Sequence, residues 1–173
     1  MKFVTSIVQS RTDSPLGNIA LAASAQGLAG VWFTEGQRHL PPELAVWPSA
    51  PEHPLLQQAS AQLAEYFAGQ RRTFDLPLDI SGGTAFQQAV WQALLGLLPG
   101  GTISYGDLSQ RIGKPGAVRA VGAAIGRNPL SIIVPCHRVI GAGGALTGYA
   151  GGLARKSALL QLEGVTARRW PPC

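Results

Sequence analysis

The sequence is poor in cysteine and has no long apolar run. Only Cys136 and Cys173 occur among its 173 residues, which excludes a disulfide framework and a zinc site built from paired CxxC units. Any chemistry at Cys136 is therefore that of a single thiol. No stretch approaches the roughly 20 apolar residues of a membrane helix, and the N-terminus lacks the features of a signal peptide. We expect a cytoplasmic protein that does not bind membranes, in which thiols stay reduced.

Charge is also scarce and unevenly spread. Only 13% of the residues are charged and 46% are hydrophobic, enough to bury the core of one or two small domains and to exclude intrinsic disorder. The first 100 residues carry five basic and seven acidic side chains, a net charge of −2, whereas residues 101–173 carry nine basic side chains against only Asp107 and Glu163, a net charge of +7. A polyanion would suit the basic half. Scattered charge that keeps a Gly- and Ala-rich domain in solution is the alternative.

The first 80 residues predict a small β-sheet domain with a flanking helix. Three apolar, β-branched segments over 2–9, 18–23 and 28–33 are separated by turn signals at Ser14–Gly17 and at Gly27. A loop with five prolines covers 35–54, a helix over 55–67 stops at Gly69, and a short strand over 72–76 returns to the sheet. Residues 77–83 form the predicted linker, which divides the chain into domains 1–80 and 84–173.

The second domain is predicted to be mostly helical. Thr84 and Gln87 form a capping-box pattern, followed by one apolar stripe that ends at Pro99 and consists of Phe86, Val90, Trp91, Leu94 and Leu98. We expect Trp91 to pack in the core. The chain as a whole therefore belongs to the mixed α/β (α+β) class.

Two short helices, from Ser104 to about residue 112 and over 116–126, flank a turn that contains Gly113, a helix-turn-helix pattern. The second helix is rich in Ala and Gly and carries Arg119 and Arg127 near its ends. A helix this thin fits a narrow groove such as the minor groove of DNA. It also fits against another backbone, which the pattern alone slightly favours.

The segment 131–140 places Cys136, His137 and Arg138 in apolar surroundings. Pro135 predicts the end of a strand over 131–134, with Cys136 at its accessible terminus. A nearby imidazole and guanidinium favour the nucleophilic thiolate, although free cysteines are more often inert core residues. Neighbouring side chains of a strand face opposite ways, so the thiol and imidazole interact only if the backbone turns or a water relays the proton.

A carboxylate would be needed to orient the imidazole, and the basic half offers two. Asp107 is expected to be used in the start of its own helix. Glu163 follows a helix over 153–162 and precedes Gly164, where the helix dipole disfavours a negative charge. A cationic partner and solvation at a frayed end are both compatible with that position. The Gly-rich loop 141–152, with Tyr149, is either a ligand site or a connector, and His39 and His53 have no ligand spacing for a metal.

Several motifs at this spacing resemble the O6-methylguanine-DNA methyltransferase family over nearly the whole chain. They are Pro135–Val139 (PCHRV), Arg119–Gly122, Asn128-Pro129, Tyr149–Gly152, Glu163-Gly164, the Ser14–Gly17 turn and the segment 27–33. The resemblance implies a ribonuclease H-like N-terminal domain and a C-terminal domain with a winged-helix-like helix-turn-helix. It also implies a protein that flips an alkylated guanine out of duplex DNA and transfers the alkyl group from O6 to Cys136, irreversibly and once.

The resemblance assigns roles to individual residues. His137 would act as the base through a water, Glu163 would hold His137, and Asn128 would brace the active-site segment. Tyr105 would press on a phosphate, Arg119 would enter the base stack, and Ala120 and Arg127 would contact DNA. Backbone groups of Cys136 and Val139, with the Tyr149 ring and the backbone of Ala150, would line the guanine pocket.

No cofactor or metal is implied, and the partner is alkylated double-stranded DNA, bound by a monomer. Cooperative binding, O4-alkylthymine repair and the range of alkyl groups stay open. Ala150 stands where some family members have Ser, so a hydroxyl donor to O6 is absent. With no cysteine before position 136, the structural zinc of some members is excluded. A DNA-binding protein with a structural Cys136 and a cysteine hydrolase are the competing hypotheses.

Overall fold

The computed structural model describes residues 6–165. Strands β1 (Val8–Thr12), β2 (Ile19–Ser24) and β3 (Gly27–Phe33) form the predicted antiparallel meander in the order β1-β2-β3. The first strand lies further along the chain than the predicted range 2–9, part of which is outside the described residues. Every residue of β2 and β3 is buried, because the sheet is covered on both faces.

Helix α1 (Pro54–Phe67) covers one face of the sheet, and the Pro-rich loop covers the other. The apolar side of α1 consists of Leu56, Ala59, Leu63 and Tyr66. As predicted, the helix stops at a glycine with left-handed backbone, Gly69 (φ +72°). On the opposite face the loop packs Trp47 on Trp32, with ring centroids 6.2 Å apart.

The predicted strand over 72–76 is wrong. Its backbone is bound by a side chain of α1 instead, since Asp75 N donates to Gln62 Oε1 (2.9 Å) and Gln62 Nε2 donates to Asp75 O (3.0 Å). Pairing with the sheet comes later, in a single bridge between Leu28 and Leu78. Asp79 is buried and accepts a hydrogen bond from Ser24 Oγ (2.5 Å), so the segment 77–83 is anchored to the sheet edge.

Helix α2 (Ala85–Leu95) begins with the predicted capping box, in which Thr84 N donates to Gln87 Oε1 (2.9 Å) and Gln87 N donates to Thr84 Oγ1 (3.3 Å). Trp91 is fully buried, as expected, and its Nε1 donates to Ala124 O (2.9 Å). The helix ends before Gly96, so Leu98 is not part of the apolar stripe and is 78% exposed.

The remaining elements surround the segment that contains Cys136. The helix-turn-helix consists of α3 (Tyr105–Arg111) and α4 (Val118–Gly126), and the chain's last described helix is α5 (Leu153–Leu162), all as predicted. Strand β4 (Ile103–Ser104) pairs in parallel with β5 (Val139–Ile140), which ties the start of α3 to the residues after Cys136. Within residues 6–165 no helix is both long and apolar enough to span a membrane.

The capping box gives a prediction for stability. Thr84→Ala removes the acceptor for Gln87 N, and we expect it to lower the free energy of unfolding by about 1 kcal/mol. Thr84→Ser keeps the hydroxyl and should change that free energy by less than about 0.5 kcal/mol. Urea unfolding followed by circular dichroism measures both, and equal losses in the two variants would assign the effect to the lost methyl group instead.

Candidate active site

The backbone before Cys136 is a series of tight turns, so the predicted strand over 131–134 is wrong. Val134 N donates to Leu130 O (2.8 Å), and Ile132 has a left-handed backbone (φ +74°). Residues Cys136–Arg138 then form a single 3-10 turn. Cys136 is consequently only 4% exposed, rather than at an accessible strand terminus.

Asn128 fixes both this turn and the thiol. Its buried Nδ2 donates to Val134 O (2.8 Å) and to Cys136 Sγ (3.1 Å), and its Oδ1 accepts from Leu130 N (3.0 Å). Burial raises the pKa of the Cys136 thiol, whereas the Asn128 donor and the nearby charge of Lys156 lower it. A buried thiol needs a base within reach to become a nucleophile.

His137, the predicted base, is fully buried. Its Nε2 lies 2.9 Å from Glu163 Oε1, and because a carboxylate only accepts, we assign the imidazole hydrogen to Nε2. Nδ1 then carries the lone pair, and it is buried without a hydrogen-bond partner among residues 6–165. Burial lowers the pKa of His137, and the hydrogen bond and charge of Glu163 raise it.

Glu163 is buried and surrounded by hydrogen-bond donors. Of the two possibilities for its position at the end of α5, it therefore has a cationic partner and is not solvated at a frayed helix end. Arg138 Nε donates to Oε2 (2.7 Å), and Arg138 Nη2 and Tyr66 Oη donate to Oε1 (2.8 and 2.9 Å). Burial raises the pKa of this carboxyl, but the hydrogen bonds and charges of His137 and Arg138 outweigh it and hold the pKa well below its usual range. Asp107 instead accepts from Ser104 Oγ (2.7 Å) at the start of α3, as expected.

The thiol opens onto a cavity of about 290 Å³ between the helix-turn-helix and the Gly-rich loop. Three groups of residues line the cavity. The helix-turn-helix contributes Tyr105 of α3, Gly122, Ala123, Ile125 and Gly126 of α4, and Arg127, which directly follows α4. The loop contributes Gly148, Tyr149 and Ala150, and Arg38 and His39 complete the lining beside Cys136. Of the predicted pocket residues, Tyr149 and Ala150 therefore reach the cavity. Val139 is not among the residues that line the cavity; its side chain is fully buried, and its carbonyl oxygen accepts a hydrogen bond from Lys156 Nζ.

Two basic residues of α5 support the cavity wall and were missed in the sequence. Buried Lys156 donates to the carbonyl oxygens of Val139, Thr147 (2.5 Å) and Gly148 (2.9 Å), and burial lowers its pKa to about 8. Its place three residues before the buried Leu159 is the signal that could have found it. Arg155 donates to the carbonyls of Leu16, Glu35 and Gly151 and so joins the Ser14–Gly17 turn to the loop.

The predicted DNA-contacting residues lie on one open surface beside the cavity. Helix α4 buries Val121, Ala124 and Ile125, while Arg119, Ala120, Ala123 and Arg127 are exposed. The small residues of this helix are therefore compatible with both possibilities raised by the sequence. One face packs against the protein, and the other is exposed and carries few bulky side chains. Tyr105 is half-buried, and its Oη lies within hydrogen-bond distance of the Thr147 and Gly148 carbonyls (3.3 Å each).

Comparison with known proteins identifies the family. Residues 85–165 match the family model of the 6-O-methylguanine DNA methyltransferase DNA binding domain, and residues 7–80 match that of the ribonuclease-like domain of the same family. The chain belongs to the O6-methylguanine-DNA methyltransferase family. The resemblance seen in the PCHRV segment is thereby confirmed.

Relatives and solved structures of this methyltransferase family agree over most of the chain. The methylated-DNA–protein-cysteine methyltransferase of Mycobacterium tuberculosis is 50% identical over 151 residues, 87% of this chain and 88% of the relative. That of Methanosarcina acetivorans is 48% identical over 152 residues, 88% and 95% of the two chains. The crystal structure of M. tuberculosis O6-methylguanine methyltransferase superposes with a TM-score of 0.82, at 46% identity over 96% of each chain. A crystal structure of M. tuberculosis OGT in complex with DNA gives 0.80, at 47% identity over 91% and 92%.

The charge network predicts how stability depends on pH. Replacing one partner of a buried ion pair leaves the other uncompensated, so we expect Glu163→Gln to cost about 3 kcal/mol of unfolding free energy at pH 7. Because the folded-state pKa of Glu163 is depressed below an unfolded value of about 4.3, this contribution is complete above that pH and is lost as the pH falls.

Chemical denaturation between pH 3 and 7 measures this difference, which should narrow below about pH 5. Glu65→Gln is the matched control, because Glu65 forms an exposed ion pair with Arg71. That change should cost less than about 1 kcal/mol at either end of the range. A constant difference between the parent and Glu163→Gln across the range would contradict the depressed pKa of Glu163.

Proposed function

We propose that this protein repairs DNA by transferring an alkyl group from O6 of guanine to Sγ of Cys136. The observation that carries the proposal is the thiol in the cavity, backed by His137 and Glu163 and flanked by the bare face of α4. The relatives' name, methylated-DNA–protein-cysteine methyltransferase, describes the same transfer. The net charge of +7 in residues 101–173 supports DNA as the partner.

The proposed reaction is a single displacement at the alkyl carbon. His137 accepts the thiol proton at Nδ1 through a bridging water, the sulfur–carbon bond forms, and the carbon–O6 bond breaks. The guanine leaves unmodified and takes up the proton at N1. A thioether offers no activated position for a second displacement, so each molecule acts once, without a cofactor or metal.

The target atom is inaccessible inside a base stack, which requires the nucleotide to be flipped into the cavity. We place the bare face of α4, with Ala120 and Arg127, in the minor groove, where its small side chains fit a groove about 6 Å wide. Arg119 fills the gap in the stack, and Tyr105 presses on the adjacent phosphate. Tyr149 stacks on the base, Ala150 offers its backbone N–H to O6, and Asn128 braces the thiol segment.

The proposed organisation is two domains, residues 1–80 and 84–173, within one monomer. One chain suffices, since the thiol, its base and the cavity all come from the same molecule. We place the protein in the cytoplasm, where thiols are kept reduced.

A labelled substrate tests the proposal directly. Incubation with duplex DNA that carries O6-[³H-methyl]guanine should leave about one label per protein molecule, located on Cys136 by peptide mapping, as covalent capture requires. Cys136→Ala should take up no label, whereas Cys173→Ala should take up as much as the parent. A folded protein that binds the duplex but leaves the lesion intact would be a DNA-binding protein with a structural thiol.

Arg119 tests the division between binding and flipping. Arg119→Ala should weaken binding to lesion-free duplex only about threefold, the loss of one cationic contact, but slow transfer at least about tenfold, because the extruded base has lost its substitute in the stack. Arg72→Ala removes an exposed charge elsewhere and should change neither quantity. Fluorescence anisotropy and single-turnover kinetics measure the two, and equal losses would refute the division.

A further inference from the structure

The ribonuclease-like part of the chain contributes one side chain to the charge network behind the thiol. Tyr66 lies near the end of α1, where its ring packs against Phe67 and Phe74 with centroids 5.5 Å away in each case. The side chain is 2% exposed. Its Oη reaches out of this cluster and donates to Glu163 Oε1 at 2.9 Å.

The oxygen that Tyr66 contacts is the one that holds His137. Glu163 Oε1 accepts from His137 Nε2 (2.9 Å), from Arg138 Nη2 (2.8 Å) and from Tyr66 Oη. Each donor stabilises the negative charge on that oxygen and lowers its basicity, so the oxygen becomes a weaker acceptor for the other donors. A carboxylate with fewer competing donors stabilises a protonated imidazole more strongly.

We propose that Tyr66 is a positioning residue that limits how strongly Glu163 stabilises a proton on His137. The phenol keeps the imidazole neutral, and therefore able to accept the thiol proton, to a lower pH than the carboxylate alone would allow. This inference rests on the proposed alkyl transfer, in which neutral His137 is the base. It gives the first 80 residues a part in the chemistry beyond packing.

Tyr66 is the suitable residue to vary, because replacing its neutral phenol removes one hydrogen bond from the network without changing the formal charge of the network. Burial, together with the adjacent carboxylate, raises the pKa of the Tyr66 phenol far above neutrality, so it stays a donor throughout the useful pH range. Among residues 6–165, the titratable and charged groups around His137 are Cys136, Arg138, Lys156, Glu163 and Tyr66.

The test is the pH dependence of single-turnover transfer by full-length Tyr66→Phe on a duplex with O6-methylguanine. The ring and its packing remain, and only the O–H is lost. We expect the acidic limb of the rate profile to move to higher pH by about one unit. At pH values on the acidic side of the limb, the rate should therefore fall about tenfold. A shift of this size corresponds to the strength of one hydrogen bond to a charged group. The plateau at high pH should stay within about twofold of the parent, since His137 is neutral there in both proteins.

Two companion proteins separate this effect from a general weakening of the fold. Ser60→Ala removes a different hydroxyl of α1, which lies 2.7 Å from Thr12 Oγ1, and should leave the limb where it is. A 3-fluorotyrosine at position 66 is a stronger donor and should move the limb down. The fluorinated protein keeps the test decisive if Tyr66→Phe folds poorly.

The outcomes distinguish the inference from the function it rests on. If the parent protein transfers alkyl groups and the limb stays in place in Tyr66→Phe and with fluorotyrosine, Tyr66 only packs and the inference is wrong. A lowered plateau with an unmoved limb leads to the same conclusion. If the parent protein itself transfers nothing, the proposed function has failed.

Discussion

The buried carboxylate of Glu163 is the interaction on which the rest of the structure depends. A charge removed from water costs several kcal/mol unless it is paired and hydrogen-bonded, and here the partners come from distant parts of the chain. Tyr66 comes from the helix on the sheet, and His137 and Arg138 come from the turn after Cys136. The hydrogen bonds to Glu163 therefore hold the sheet, the thiol segment and the end of α5 together, and one of them fixes the orientation of the His137 imidazole.

On the side of the thiol away from this network, the exposed surface consists mainly of small side chains. Helix α4 buries one apolar face and leaves Ala120 and Ala123 exposed, and Gly122 lies against the ring of Tyr105. The opposite wall is a loop whose carbonyls are held by Lys156. In the proposed alkyl transfer, the charged network behind the sulfur would position the thiol, and the small side chains on the exposed face of α4 would let that helix approach the DNA.

Features encoded within a few residues could be predicted from the sequence. The Thr84 capping box, the end of α1 at Gly69 and both helices of the helix-turn-helix depend on local hydrogen bonds and backbone preferences. Residues whose conformation depends on distant partners could not. The segment 131–134 has the composition of a strand, but its backbone turns, and the carbonyl oxygen of Val134 accepts a hydrogen bond from the Asn128 side chain instead of from a neighbouring strand. The buried position of Lys156 depends on carbonyls supplied by a separate loop, and the motif named Glu163 without its partner Tyr66.

The most direct measurement of the central claim compares transfer with binding in Glu163→Gln. If this carboxylate holds the base, the single-turnover rate at pH 7.5, measured where the variant is folded, should fall on the order of 100-fold, the usual contribution of a positioned general base. Affinity for the same duplex should stay within about twofold, because Glu163 lies behind the thiol and away from the open face of α4. An unchanged rate, or a loss of affinity as large as the loss of rate, would contradict the account.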